Sequence, residues 1–290
     1  MKHIKQHFIE SYRTQPDLIC LAVIENPYPY NPLIEGLDLL ILVIRENNSG
    51  KETQHIQLHG ERILIRTLEA EELEKWIACH ENRSIIQWIV RGEILLERDN
   101  YLTNIRERLM LFPNEMREQK RFTEFSGFLR TYLQAKQDIE DNNVLDAHSN
   151  VLAALHYWAR IVLIEEGHHP ELTVWRQIRR VHPGVYKLYE ELTASPETLD
   201  QRVQLVMLAC EFTVMNKMKE CCSLLLELME SREEPWSIVE LQNHPSLETL
   251  QVDLSLIVQK LVKRSYIREV AVMPSIGDAE ALELRYMLAV

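Results

Sequence analysis

The sequence predicts a mostly helical protein built from an α+β domain with a mixed sheet, an all-α bundle and a small C-terminal domain. Strand patterns are confined to residues 1–112 and to the end of the chain, whereas residues 113–232 show apolar residues at helical spacing. Residues 233–290 combine short helices with a hairpin pattern. Glycine is scarce, at 8 of 290 residues, which argues against a β-sandwich or a barrel.

The composition narrows the class of protein. Hydrophobic residues make up 46% and charged residues 26% of the chain, as in ordinary globular proteins. The formal net charge of -12 works against bulk adsorption to nucleic acid or to anionic membranes. No apolar run reaches the roughly 18 residues that span a bilayer, and the five cysteines form no CxxC pair. We therefore expect a cytoplasmic protein without a membrane partner.

The first domain begins with strand patterns. Leu18–Ile24 and Leu39–Ile44 are short apolar runs rich in β-branched residues, as buried strands are. The prolines between these two runs predict a long fixed loop. Gln54–Leu58 and Arg62–Thr67 flank His59–Glu61, which predicts a hairpin.

Helices and one further strand complete the first domain. Leu68–Cys79 is predicted to be a helix, with Glu69, Glu71 and Glu72 complementing the helix dipole in its first turn. The remaining predicted elements are a helix at Arg83–Val90, a strand at Glu93–Glu97 and a helix at Asn100–Phe112.

The middle domain is predicted to be an antiparallel helical bundle. Its helices are separated by segments rich in Gly, Pro, Asn and Ser, which end helices or connect them. The predicted helices are Arg117–Glu140, Val144–Glu166, Val174–Val181, Val185–Thr193 and Leu199–Glu230.

The C-terminal domain has the element order of a winged helix-turn-helix. Three helices are predicted before two strands that surround the turn Pro274–Asp278. The alternative is a small α/β cap on the bundle. The predicted helices are Ser237–Asn243, Ser246–Gln251 and Val252–Arg264, and the predicted strands are Tyr266–Val272 and Ala281–Leu288.

Three basic residues of the last helix are candidates for contact with nucleic acid. In a DNA-binding winged helix, Val252–Arg264 would enter the major groove, with Lys260, Lys263 and Arg264 near the phosphates. From Glu240 onward, however, seven acidic residues stand against five basic ones, which predicts weak duplex binding. A protein partner at this domain is therefore the open alternative.

Two segments of the first domain resemble a known family. Gly36–Val43 places the carboxylate of Asp38 at the start of an apolar strand and resembles the Asp-hydrophobic-Asp signature of DNA-polymerase-β-like nucleotidyltransferases. Arg91–Asp99 resembles the stretch that ends this domain in aminoglycoside-nucleotidyltransferase-like proteins. Over nearly its whole length the chain is similar to the nucleotidyltransferase-like proteins of Bacillus and relatives. Further matching segments are Thr173–Trp175, Val185–Leu192 and Glu233–Ser237.

The resemblance implies Asp38 as a catalytic carboxylate, with Mg²⁺ and a nucleoside triphosphate as cofactor and substrate. Two Mg²⁺ ions that bridge a triphosphate need hard oxygen ligands. In the active family a Gly-Ser pair and two carboxylates two residues apart help to build the site. Here position 40 is Leu40, no Gly-Ser pair precedes Asp38, and the neighbouring strand offers Arg66 instead of a third acid. Without metal, Asp38 is expected to cap a turn or to pair with Arg66.

The incomplete set of metal ligands predicts a degenerate nucleotidyltransferase-like protein with a binding or regulatory role. One alternative is a Mg²⁺-dependent nucleotidyltransferase that acts on a small-molecule hydroxyl, as the resemblance implies. The other is a DNA-binding regulator that uses the C-terminal winged helix. No metal-binding residues are assigned.

A nucleotide or small ligand is expected in the cleft between the first two domains, as in the related enzymes. Tyr28 and Tyr30 lie in the proline-rich loop, where exposed aromatic side chains often bind ligands, and Arg66 is a third candidate. The aromatic residues of the middle domain are expected to belong to the bundle core, with a ligand pocket as the alternative. They are Tyr157, Trp158, Trp175, Tyr186 and Tyr189.

Two histidine-containing segments are weaker candidates. Arg176 and His182 have the spacing of a ribonuclease motif in some small helical proteins, in which His would act as acid and base. The alternative is that Arg176 faces solvent or an internal acid. His168 and His169 are expected to lie in a loop that ends a helix, because adjacent His side chains point apart and no second ligand pair is nearby.

Overall fold

The computed structural model describes residues 1–26, 37–46, 53–78, 83–273 and 282–289. Tyr28, Tyr30 and the turn Pro274–Asp278 lie outside these ranges. By its contacts the chain forms two compact units, residues 1–113 with 171–173, and residues 114–170 with 174–290. The division into three domains at residues 112/113 and 232/233 stays a prediction.

The first unit is built on a five-stranded mixed sheet, as predicted. The strand order is β3-β4-β2-β1-β5, in which β2 and β4 run parallel and every other neighbouring pair is antiparallel. The strands are β1 (Leu18–Glu25), β2 (Leu39–Arg45), β3 (Thr53–Leu58), β4 (Glu61–Glu69) and β5 (Glu93–Glu97).

Helices cover both faces of this sheet. Helix α1 packs on β1 and β5, with Ile4 and Phe8 buried against alternate residues such as Leu21 and Ile41. Helix α2 packs on β2 and β4, and α4 packs on β1 and β5. The helices are α1 (Lys2–Tyr12), which adds to the predicted elements, α2 (Ala70–Ala78), α3 (Arg83–Arg91) and α4 (Tyr101–Leu111).

The predicted hairpin between β3 and β4 is present, but the helix after it begins later than predicted. Leu58 pairs with Glu61, so His59 and Gly60 form a two-residue turn, with φ of 52° and 88°. The prediction that a helix begins at Leu68 is wrong. Leu68 and Glu69 continue β4, because they pair with Ile44 and Arg45 on β2.

The second unit contains the predicted bundle around a core of aromatic and aliphatic side chains. Long helices α5 and α6 pack along each other, and their facing residues include Phe125, Phe128 and Leu155. The helices are α5 (Asn114–Glu140), α6 (Val144–Glu165), α7 (Val174–Val181), α8 (Pro183–Ala194) and α9 (Leu199–Thr213).

A single helix over Leu199–Glu230 is not what the chain forms. After α9 come a 3₁₀ turn (Met215–Lys217), α10 (Met218–Cys221) and α11 (Ser223–Glu230), with Cys222 outside helical geometry at φ -103° and ψ 14°. The buried residues keep helical spacing through these breaks, from Val214 to Met229. Apolar spacing therefore reports which residues are buried and not whether the backbone hydrogen bonds continue.

The C-terminal elements follow the predicted helix-and-hairpin order with one exception. Residues 246–251 form turns instead of a helix, because His244 Nδ1 accepts the Ser246 N–H at 3.2 Å and Leu250 N bonds Leu247 O over three residues. The elements are α12 (Ile238–Gln242), α13 (Leu254–Lys263) and the antiparallel strands β6 (Ile267–Val272) and β7 (Glu283–Leu288).

The contact between α5 and α6 is close at Gly127. A Cβ atom placed there would lie 2.2 Å from Cε1 of the Tyr157 ring, far inside van der Waals contact. The ring cannot move freely, because the Arg160 guanidinium carbon lies 4.4 Å from its centroid. Arg160 is itself held by a buried ion pair with Glu124, at 2.6 Å. Gly127 therefore sets how closely the two helices approach.

We expect Gly127→Ala to lower the free energy of unfolding by about 1–2 kcal/mol, because overpacking outweighs the gain in helix propensity. Denaturant unfolding followed by circular dichroism measures this change. Gly184→Ala is the matched control, since Gly184 lies in the first turn of α8 and is exposed. Equal effects of the two substitutions, or a more stable Gly127→Ala protein, would contradict the role of Gly127.

Candidate functional site

Asp38 lies immediately before β2, where its backbone and its carboxylate are both hydrogen bonded. Its Oδ2 atom accepts the Arg62 N–H at 2.8 Å. Its own N–H donates to Arg62 O at 2.9 Å, and its carbonyl accepts from Asn26 N at 3.1 Å. The carboxylate thus caps a backbone donor at the start of β4, and the alternative of pairing with Arg66 is wrong.

Arg66 lies on β4 opposite Leu42 of β2, where it contacts an aromatic ring. Its guanidinium carbon is 4.6 Å from the centroid of Trp76 on α2, within the range of a cation–π interaction. The side chain is half-buried. Arg66 therefore lies four residues along β4 from Arg62, the backbone partner of Asp38, and this position offers no carboxylate to a divalent cation.

The position two residues after Asp38 is fully buried. Leu40 has no exposed surface and lies between β1 and β4 in the sheet. Within the described ranges, no three His, Cys, Asp or Glu side chains come together as a metal would require. Tyr28 and Tyr30 lie outside those ranges, so their binding role stays a prediction.

The three basic residues predicted on the last helix are near the end of α13, and the structure adds a fourth. Lys263 and Arg264 are exposed and Lys260 is half-buried. Burial and the charges of Lys263 and Lys136 together lower the pKa of Lys260. Lys136 belongs to α5, so sequence spacing could not have placed it here. We call Lys136, Lys260 and Lys263 the basic patch.

The surface of α13 also carries a polar stripe. Ser255, Gln259 and Lys263 are all exposed and follow one another at intervals of four residues. The opposite side of the helix is buried through Leu254, Ile257, Val258 and Leu261. Hydroxyl, amide and ammonium groups on one exposed helical face can donate hydrogen bonds to a partner.

The predicted ribonuclease pair is not supported by its surroundings. His182 Nδ1 accepts the Val185 N–H at 3.2 Å and so caps the N-terminus of α8. Arg176 is exposed on α7. His168 follows the end of α6, where its N–H donates to Leu163 O at 2.8 Å and Gly167 takes a φ of 77°, so this segment does end a helix.

The aromatic residues of the bundle belong to its core or pack against it. Trp158 is buried, and the others are partly buried against the same cluster. The rings of Trp175 and Tyr189 stack with centroids 4.2 Å apart. These contacts agree with the expected core role of the aromatic group.

A charged cleft of about 350 Å³ opens in the second unit and was not predicted from the sequence. Lys217 and Glu165 form an ion pair across it, at 2.9 Å. Burial disfavours the charged Lys217, but the hydrogen bond with Glu165 and the charge of nearby Glu220 outweigh that effect and raise its pKa. The cleft is lined by Asn114, Arg117, Arg121, Ile164, Glu165, Glu166, Lys217 and Glu220.

No helix in the described part of the chain combines the length and the apolarity that crossing a bilayer requires.

Family models match three successive parts of the chain. Residues 1–117 match a model described as nucleotidyltransferase-like. Residues 118–217 match the YgxA-like substrate binding domain, and residues 223–274 match a helix-turn-helix domain. The last match begins at the first residue of α11 and includes α11, α12 and α13.

Two relatives resemble the chain over its whole length. Protein YgxA of Bacillus subtilis (strain 168) is 31% identical over 268 residues, which cover 92% of this chain and 91% of YgxA. The crystal structure of a nucleotidyltransferase-like protein from Exiguobacterium sibiricum 255-15 has a TM-score of 0.87 and 30% sequence identity, and 100% of each chain is covered.

The hydrogen bond from Arg62 N to Asp38 predicts a contribution of this carboxylate to stability. We expect Asp38→Ala to lower the free energy of unfolding by about 1 kcal/mol, because it leaves the Arg62 N–H without its acceptor. Asp38→Asn keeps a side-chain oxygen and should lose less. Denaturant midpoints of the two variants test this. An Asp38→Ala protein as stable as the wild type would contradict it.

Proposed function

The chain belongs to the family of nucleotidyltransferase-like proteins that includes YgxA, and from this premise we propose that it is a binding or regulatory protein that does not transfer nucleotides. A nucleotidyltransferase-like domain, a substrate-binding domain and a helix-turn-helix domain are present. The first of these domains would carry out nucleotidyl transfer if its metal site were complete.

One observation carries the proposal: the carboxylate of Asp38 is engaged with a backbone donor, and the described residues around it do not complete a metal site. Nucleotidyl transfer through two Mg²⁺ ions needs several oxygen ligands on one site. Asp38 Oδ2 accepts from Arg62 N. Leu40, which has no exposed surface, offers no oxygen. Arg66 adds a positive charge and stacks on Trp76. The described residues therefore do not fit two Mg²⁺ ions.

The substrate-binding match supports the other part of the proposal, a retained ligand. It covers residues 118–217, which form most of the bundle. Binding without transfer requires a pocket and fixed polar groups, but no activated nucleophile and no metal. We therefore place the ligand-recognition role of the chain in the second unit.

A second candidate function is duplex DNA binding by the C-terminal domain, and the polar stripe on α13 favours it. In a helix-turn-helix, the exposed face of the recognition helix meets the base edges of the major groove. Gln259 can bond adenine in a bidentate manner, and Lys263 can bond guanine or a phosphate. Lys136 and Lys260 of the basic patch add two cations beside this face. The acidic surroundings predict weak binding that falls steeply with salt.

The proposal predicts that the protein releases no pyrophosphate from ATP and Mg²⁺ in the presence of small-molecule hydroxyl acceptors. We also expect Asp38→Asn to leave the affinities for ATP and Mg²⁺ unchanged in calorimetric titrations. Asp146→Asn, a change at an exposed carboxylate on α6, is the matched control. The catalytic alternative would be established instead if the protein released pyrophosphate in a Mg²⁺-dependent reaction. Asp38→Asn would then abolish this activity, and Asp146→Asn would leave it unchanged.

DNA binding predicts that charge reversal on α13 weakens the complex. Lys263→Glu and Arg264→Glu should abolish binding of a random-sequence duplex in fluorescence anisotropy at 50 mM salt. Lys136→Glu should weaken it and reduce the salt slope by about 1, because one phosphate contact is lost. Arg130→Glu, at an exposed position of the same helix as Lys136, should change the affinity less. Duplex binding that depends neither on salt nor on these substitutions would contradict DNA recognition by α13, and a lack of duplex binding would leave a protein partner as the alternative for this domain.

A further inference from the structure

The charged cleft holds two arginines on one face of α5. Arg117 and Arg121 are four residues apart, so their side chains are neighbours on the helix surface. Two like charges at this spacing destabilise a helix slightly unless an anion compensates them. Near them, Lys217 and Glu165 neutralise each other at 2.9 Å. Among the described residues, the two guanidinium groups are therefore the cations of the cleft that have no ion-pair partner.

Neither guanidinium group has an acidic partner. Among the described residues, no carboxylate oxygen lies within 4.0 Å of Arg117 or Arg121, although both are half-buried. Arg121 donates to Ser223 Oγ at 3.2 Å. The Nε atoms of both residues are shut off from solvent without an acceptor. Since a guanidinium carries five N–H donors in a planar fork, most of this donor capacity is unused.

We propose that the charged cleft binds a small molecule through a phosphate or carboxylate group held by Arg117 and Arg121. Guanidinium groups bind both kinds of oxyanion in a bidentate manner. The volume of about 350 Å³ is at the lower end of the range for small-molecule pockets. The site rests on the proposed function in one respect: it supplies the ligand that a binding protein requires.

The remaining carboxylates restrict the ligand to a low negative charge. Glu166 and Glu220 also line the cleft, and both are exposed. With Glu165, they balance the three cations of the lining. A polyanion such as a triphosphate or a DNA backbone would be repelled by these carboxylates, whereas a single oxyanion can lie between the arginines. The cleft is therefore matched to a small monophosphate or carboxylate.

The position of the cleft connects the ligand to the helix-turn-helix. Lys217 is the last residue of the substrate-binding match, and Ser223 is the first residue of the helix-turn-helix match. The hydrogen bond from Arg121 to Ser223 joins α5 to the start of α11. An oxyanion that engages Arg121 competes with the Ser223 hydroxyl for the same donors. Occupancy of the cleft thus changes a contact of α11.

The experiment measures binding of methyl phosphate and acetate by calorimetry and by the shift of the thermal midpoint. It uses the full chain without Mg²⁺ or ATP, with sodium chloride keeping the ionic strength constant. We expect at least one anion to raise the midpoint of the wild type, and the tighter of the two identifies the ligand class. Arg117→Gln and Arg121→Gln should each lower the affinity for that anion by about tenfold or more, since each removes a charge-assisted hydrogen-bond donor. Arg130→Gln, on the same helix but exposed, should bind as the wild type does.

The stability of the unliganded variants separates an anion site from a structural role. In the same sodium chloride buffer without methyl phosphate or acetate, Arg117→Gln should unfold at the same temperature as the wild type or higher, because the repulsion between the two arginines is relieved. A lower midpoint, without a change in anion affinity, would show a structural role and overturn the proposal. If Gln at either position prevents folding, Arg117→Lys and Arg121→Lys keep the charge, remove the fork and should still weaken binding.

Two results overturn the site directly. One is that neither anion binds the wild type, and the other is that both glutamine variants bind as tightly as the Arg130→Gln control. Neither result bears on nucleotidyl transfer, which the pyrophosphate assay measures separately. Conversely, Mg²⁺-dependent transfer would overturn the proposed function and leave the anion site to be judged by these titrations.

Discussion

The burial of strand β2 on both faces is the constraint on which the first unit depends. From Leu39 to Ile44 each residue is at most 2% exposed, because β1 and β4 flank the strand and helices cover both faces of the sheet. Each of these side chains contributes roughly 1.5–3 kcal/mol by leaving water. A carboxylate at position 40 would lose that contribution and would be buried as an unpaired charge unless metal accompanied it. Leu40 stabilises the sheet by its burial, but it provides no oxygen ligand at the position where an active nucleotidyltransferase has a carboxylate.

In the second unit, helix α5 is the element that several other helices contact. Its 27 residues extend over about 40 Å, and successive parts of it contact different elements. Gly127 fixes the distance to α6, Ser126 Oγ accepts the Asp253 N–H at the start of α13 at 2.9 Å, and Arg121 donates to Ser223 of α11. The bundle and the helix-turn-helix thus share one rigid element. A ligand that changes a contact of α5 or α11 therefore acts on a helix that is packed against other elements of the second unit.

The sequence predicted the elements well where burial and backbone hydrogen bonding agree. The bounds of β5 at Glu93–Glu97 and α7 at Val174–Val181 were predicted without error. The predictions were wrong at Leu68, residues 246–251 and Leu199–Glu230, where strand pairing or turn hydrogen bonds decide the backbone and apolar spacing does not. For the candidate site, the residue types at positions 38, 40 and 66 could be read from the sequence. The Arg66–Trp76 stacking and the meeting of Lys136 with Lys260 depend on tertiary packing, as does the cleft around Arg117.

A protein can bind a phosphate through carboxylates that hold Mg²⁺ or directly through arginine side chains. The two units of this chain differ in which of these ways their residues fit. A nucleotidyltransferase binds phosphate through carboxylates that hold Mg²⁺, so the loss of a carboxylate weakens the binding of both the metal and the phosphate. A guanidinium binds an oxyanion directly and needs no further ligand. In the first unit, a cation at Arg66 stands where the fold would use an acid. In the second, Arg117 and Arg121 line a cleft and form no ion pair with any described residue. Direct recognition by arginine needs no oxygen ligand from the central strand, which is apolar from Leu39 to Ile44, whereas recognition through Mg²⁺ would need one at position 40. The proposed binding function therefore agrees with the packing of the sheet as well as with the charges of the cleft.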